Sequence, residues 1–365
     1  MPEKIKTVYE KKRIESLQAL RAFSFLGIFL SHAGSPVSWP ALGVSVFFVL
    51  SGFLMSYTYH DRDMTASVRN NLRFAISKIK KLYKLHIITM CCMLLIELIT
   101  GSYYEVPLHI GVLIGEIILN LTLLQAWIPH IDTVISLNGV AWFLSATFLL
   151  YFMFPFIKKW IRNVSNIMLM ILSTAILGVQ IISCMLVIYV AGVESDIYSW
   201  FMYYFPVFRL GDFFVGCCLG KYYKQNTFSN CTNICKYKWS VFEIIFVIIT
   251  YKLLIWCYAG GESILAVAIR NYATVNIVLA AGWVYLFAVN GGIVTKLCVN
   301  RVSVFLGNIS SQLFLIHVVV LYAITYFWAI HHLIMPKVKT EYMILFELLL
   351  TIAAAWLSSR KGKKS

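Results

Sequence analysis

Residues Leu20 to His32 read LRAFSFLGIFLSH, an apolar run with an arginine near one end and a histidine at the other. The run has the composition of a membrane-spanning helix, and such a helix tolerates ionisable groups only where they face protein or water. Arg21 and His32 stand at i and i+11, which on an α-helix is about 20° from perfect alignment and about 16 Å of rise. Both side chains therefore share one face, three turns apart, and that face is expected to line a bundle interior. In the competing reading Arg21 snorkels to the headgroups and His32 sits at the opposite interface. Other segments of the chain bear on that choice.

Hydrophobic residues make up 60% of the 365 and charged residues only 13%, with a mean hydropathy of +0.78. This excludes an ordinary soluble domain and indicates an all-α, polytopic membrane bundle. The net charge of +15 does not point to nucleic acid, because the basic residues fall in a few segments between apolar runs, as the positive-inside rule requires. The nine cysteines show no CxxC and no His/Cys spacing suited to zinc, so neither a disulfide framework nor a metal site is expected. The N-terminus MPEKIKTVYEKKRIES is too charged and too long for a cleavable signal, so the first run is expected to remain as an anchor.

Ten runs are long enough to cross a bilayer: 17–33, 43–59, 85–101, 139–157, 164–188, 201–219, 239–257, 274–291, 309–329 and 341–357. The apolar stretch 109–127 would invert every later loop if it also crossed, so it is expected to be re-entrant or interfacial; Glu116 and Asn120 within it agree. Both termini and the basic loops then lie on the cytoplasmic side, in a bacterial inner membrane, with Arg270, Lys337 and Lys339 as the outward minority. One membrane domain, 1–365, is expected, with a cytoplasmic segment 1–16, a basic loop 60–84 and a basic tail 358–365. No internal repeat is visible, which weakens a transporter built from inverted halves.

Polar residues recur inside the spans. PVFRLGDFFVG sets Arg209 and Asp212 at i,i+3, most simply a structural ion pair, and GNISSQLFLIH sets Ser310 and His317 at i,i+7 on one face. In PALGVSVFFVLSGFLM the small residues Gly43, Ser51 and Gly52 permit close helix approach, and packing alone explains them. FAISKIKKLYKLH groups Lys78, Lys80, Lys81 and Lys84, a cluster able to hold phosphates, though contact with anionic lipid is the commoner use.

In order along the chain, Arg21 with His32, GVSVFFVLSGF, WFLSATFLLYFMFP, PVFRLGDFFVG and GNISSQLFLIH resemble the motif series of the acyltransferase 3 family, integral-membrane O-acyltransferases of bacterial surface glycans. Two departures stand out: Thr147 where many members carry glutamate, and Lys78, Lys81 and Lys84 where the family motif has two arginines and a proline. The lysines keep positive charge but lose the planar fork of arginine.

The resemblance implies transfer of an acyl group, acetyl from acetyl-CoA being the family default, to a hydroxyl of a glycan at the membrane, with neither metal nor nucleic acid involved. It gives His32 and Arg21 catalytic roles, with Arg21, Lys78, Lys81 and Arg209 holding the CoA moiety. The pantetheine arm is expected to run along the first helix towards His32. Trp142, Asp212, Ser310 and His317 fall on the acceptor side. A histidine with an ordinary pKa of about 6.5 suits general-base catalysis or a transient acyl-histidine, and both routes stay open. A flippase of lipid-linked sugars, or a subunit that has lost activity, fits the same composition.

Overall fold

Proline and serine cut the apolar runs into helices at the points where backbone geometry demands it. Pro40 and Pro206 stand in the first turn of their helices, where a missing N–H costs nothing. Ser165 caps another helix by accepting from the Met168 amide, and that helix stops at Gly192, whose φ is +81°. The computed structural model describes residues 14–103, 109–226, 233–258, 263–270, 274–331 and 340–361. The basic segment 1–13, the end of the tail, 362–365, and Lys337 and Lys339 lie outside the described residues.

The chain opens with α1 (Glu15–His32) and α2 (Pro40–Tyr59), followed by the long α3 (Val68–Tyr103), the short α4 (Ile110–Thr122) and one turn, α5 (Ile131–Val134). After α6 (Trp142–Ile161) and α7 (Asn166–Ala191), a turn, α8 (Asp196–Ser199), runs through a π-helical stretch, Trp200–Tyr204, into α9 (Pro206–Gln225). Then come α10 (Asn233–Tyr258), α11 (Ile264–Arg270), α12 (Thr274–Val289), α13 (Ile293–Cys298), α14 (Arg301–Asn308), α15 (Ser310–Ile330) and α16 (Glu341–Lys361). No strand occurs among the described residues.

Among the described residues, eight stretches are long and apolar enough to cross a membrane. α1 and α9, of 18 and 20 residues, add two of crossing length, about 27 and 30 Å. Their polar residues depress their hydropathy, and their burial explains how those residues are tolerated: 0% of Arg209 and of Asp212 is exposed. The ten expected spans are therefore all present as helices. α4, at about 20 Å, is too short to cross, in line with its reading as a non-spanning element. The basic stretch 60–84, in contrast, is helical from Val68 onward instead of a loop. No Gly or Pro interrupts residues 68–84, so α3 continues past the bilayer as a helix of about 54 Å.

α2 and α9 form the centre, their backbones in direct contact. A Cβ at Gly216 would lie 2.0 Å from the Val49 carbonyl oxygen, one at Gly220 2.4 Å from that of Phe53, and one at Gly52 2.1 Å from that of Phe213. This is the small-xxx-small packing that substitutes for a hydrophobic driving force in lipid. α7, α10 and α16 leave most of their apolar surface outward, as lipid-facing helices do.

Two buried charges stitch helix ends together. Lys221 on α9 donates to the carbonyls of Ile161, Arg162 and Val164 at 2.6, 3.1 and 2.6 Å, capping the C-terminus of α6 with all three ammonium protons. Glu243 on α10 accepts from the Gly292 and Thr295 amides and the Thr295 hydroxyl at the start of α13. Lys221→Met is expected to cost about 2–3 kcal/mol, because it strips three carbonyls of their donor. A fall of several degrees in the thermal midpoint of the detergent-purified protein checks this.

Candidate active site

α1 meets α15 at two heights. Arg21 approaches Ser311, Nη2 to Oγ 3.5 Å, and His32 Nδ1 lies 2.9 Å from His317 Nε2. The two helices therefore run parallel, as the first and ninth of ten alternating crossings must. The side chains of Arg21 and His32 both point towards α15, the shared face expected from their spacing.

The histidine pair has a defined proton pattern. His317 is fully buried, and its Nδ1 faces the carbonyl oxygens of Phe314 at 2.8 Å and Leu313 at 3.2 Å. A carbonyl only accepts, so Nδ1 of His317 carries the proton and its Nε2 presents a lone pair. In the neutral pair His32 must then donate through Nδ1–H, which leaves the lone pair of its own Nε2 unused. His32 is exposed where His317 is not. The arrangement thus holds one imidazole in a single tautomer with its basic nitrogen free.

His32 opens on a cavity of about 430 Å³ whose walls include Trp142, Tyr203, Tyr204, Tyr322 and Glu97. Trp142 packs between Tyr203 and Tyr204, with ring centroids 5.2 and 5.0 Å apart. Both tyrosines belong to the π-helical turn before α9, which Trp200 anchors by donating Nε1–H to the Ala126 carbonyl at 3.0 Å. The remaining wall includes Leu137, a non-glycine residue at φ +57°. Next to it the Asn138 amide donates to Thr89 Oγ1 and the Leu315 carbonyl, both at 2.9 Å, tying this loop to α3 and α15. A strained residue held by neighbouring hydrogen bonds is a common feature of ligand sites.

Among the described residues no lysine or arginine lines the cavity. Arg209 and Asp212 stand behind its wall: Nη1 lies 3.6 Å from Oδ2, Nε donates to the Tyr203 carbonyl at 2.8 Å, and the guanidinium sits 5.0 Å from the Tyr203 ring. Arg209 reaches the cavity wall through the carbonyl and ring of Tyr203, and Asp212 pairs with Arg209 behind it. Thr147 is buried and does not line the cavity.

The remaining expected site residues lie towards the other end. Arg21 lies over the Phe47 ring at 6.0 Å, close to Ser311 and so to the buried Ser310. Lys78 donates to the Tyr59 hydroxyl and lies 4.8 Å from that ring and 5.1 Å from the Phe74 ring, while Lys81 is exposed. The path expected along α1 is closed by aromatic rings. Phe47, beneath Arg21, packs at 6.0 Å on both Phe143 and Phe314, which are 5.0 Å apart. Phe314 in turn lines the His32 cavity. Three phenylalanines therefore form a partition between the arginine and the histidine.

Two features escaped the sequence reading. Glu97, in LLIELIT, is a carboxylate inside a span, and the rule that singles out Arg21 applies to it equally. The tyrosines 203 and 204 gave no signal, because only the π-helical turn aims them inward.

The site thus presents a free imidazole nitrogen at the wall of an aromatic cavity in an all-helical, multi-pass membrane bundle. A family model described as an acyltransferase domain matches residues 14–360, and the chain belongs to this family, acyltransferase 3. Acyltransferase MdmB of Streptomyces mycarofaciens is 29% identical over 167 residues, which cover 42% of this chain and 41% of that relative. The chain thus spans about two fifths of that curated relative's length. No solved structure matches it.

Proposed function

We propose that this membrane acyltransferase moves an acyl group, acetyl from acetyl-CoA, to a hydroxyl of a surface or lipid-linked glycan. The observation that carries the reading is the free Nε2 of His32, oriented by His317. That nitrogen takes the proton of the acceptor hydroxyl as the hydroxyl oxygen attacks the thioester carbonyl. The C–O bond forms, the C–S bond breaks, and the imidazolium returns its proton to the departing thiolate, giving CoA thiol and the ester. The donor is held at the opposite end, where Arg21, Lys78 and Lys81 supply cations for the CoA phosphates. The acceptor occupies the His32 cavity, which offers aromatic faces and, among the described residues, no lysine or arginine. Both termini are cytoplasmic in this reading, and the bundle sits in a bacterial inner membrane with the donor end inward.

The test is release of CoA thiol from acetyl-CoA by the protein in lipid nanodiscs, with surface glycan as acceptor. Arg21→Ala is expected to raise the KM for acetyl-CoA about tenfold, the worth of a lost charged hydrogen bond, with a smaller change in kcat. An unchanged KM would remove Arg21 from donor binding. Absence of thiol release with every glycan and acyl-CoA tried would favour a flippase.

A further inference from the structure

The cavity wall carries one charge that the transfer chemistry leaves unused. Glu97 lies on the part of α3 that reaches the His32 end of the bundle, and its side chain lines the same cavity. Among the described residues its carboxylate takes neither an ion-pair nor a hydrogen-bond partner. A carboxylate within a spanning segment is costly unless something polar meets it. Among the described residues neither a lysine nor an arginine lines the cavity to meet it. Glu116 on α4 acts electrostatically on Glu97, and Asp132 and His130 act on Glu116 in opposite senses, so two further carboxylates and one imidazole neighbour this end of the site. The rest of the wall is aromatic: Trp142, Tyr203, Tyr204 and Tyr322.

We propose that Glu97 sets the charge class of the acceptor: it accepts hydrogen bonds from a neutral or amino sugar stacked on the aromatic wall and excludes acidic sugars. The proposal rests on the acyl-transfer reading of this cavity. An ionised carboxylate only accepts, and it offers about four lone-pair sites, which suits the hydroxyls of a pyranose or the ammonium of an amino sugar. Sugar C–H faces lie against aromatic rings, leaving the hydroxyl edges to find acceptors. A uronic acid or sugar phosphate would instead bring a second anion beside Glu97 with no lysine or arginine among the described lining residues to compensate, and this repulsion is the discriminating element. Thr147 carries a hydroxyl and no carboxylate, and it is buried away from the cavity.

The test uses three probes that share one ring: methyl glucoside, methyl glucosaminide and methyl glucuronide. Binding to the protein in lipid nanodiscs is read by ligand-observed NMR, and transfer of acetyl from acetyl-CoA is followed in parallel. The native protein is expected to favour the glucoside and the glucosaminide over the glucuronide by about tenfold or more, as for like charges a few ångströms apart. In Glu97→Gln the ratio is expected to fall to about twofold, and in Glu97→Lys to invert in favour of the glucuronide. Equal native binding of glucoside and glucuronide, discrimination that persists in Glu97→Gln, or no binding of any probe would each overturn the proposal. Charge-selective binding without acetyl transfer would instead leave Glu97 its role and refute the transferase reading of the cavity.

Discussion

His32→Ala is expected to lower kcat/KM for acyl transfer by about a hundred- to ten-thousand-fold, the range that a positioned general base contributes, while the protein stays folded. The fold should survive because His32 is exposed into the cavity at the last residue of α1. Its removal leaves His317 still bonded to the Phe314 carbonyl. On the proposed reading the loss should fall on kcat, since Trp142, the tyrosines and Glu97 still line the cavity. A companion variant, His317→Phe, keeps the base and removes only the group that fixes its tautomer, so its loss should be smaller than that of His32→Ala. Thiol release from acetyl-CoA measures both. Retention of activity within about threefold in His32→Ala would eliminate His32 as the base.

The second large effect is structural. Gly216→Leu is expected to abolish accumulation of monodisperse protein, because the new Cβ would meet the Val49 carbonyl oxygen at 2.0 Å. That oxygen belongs to the backbone of a buried helix and cannot rotate aside, so α2 and α9 must separate. The cost should exceed about 3 kcal/mol, the upper part of the range for overpacking, where side chains usually absorb the strain. Gly178→Leu on α7 is the matched control: a Cβ there meets nothing within 4 Å. Fluorescence-detected size exclusion and thermal melting of the two variants should differ sharply. A Gly216→Leu protein that melts with the native one would mean that α2 and α9 are not in backbone contact.

The sequence was informative where a physical constraint acts on single residues or on regular spacing. Hydropathy gave the ten spans, and charge placement kept 109–127 from being counted as an eleventh, because lipid imposes both rules directly. The spacing of Arg21 and His32 gave their shared orientation, and the small residues Gly43, Ser51 and Gly52 gave the close approach of α2, whereas the glycines of FVGCCLG that face it on α9 went unread. Hydropathy did not show that the basic stretch before the third span is helical, since charge and helical propensity are independent in lysine-rich segments. The His32–His317 pair joins residues 285 positions apart, a separation that no local pattern encodes. The aromatic partition was hidden for the same reason: Phe47, Phe143 and Phe314 come from three helices and read singly as ordinary apolar residues.

Phe314 plays two parts with two different portions of one residue. Its ring closes the partition, and its carbonyl fixes the proton on His317. If the partition opened by sliding or tilting α15, the carbonyl would move with the ring and the base would lose its orientation on every opening. Rotation of the ring about its side-chain torsions leaves the carbonyl in place. In the proposed transfer, donor access by ring rotation therefore leaves undisturbed the carbonyl that orients His317.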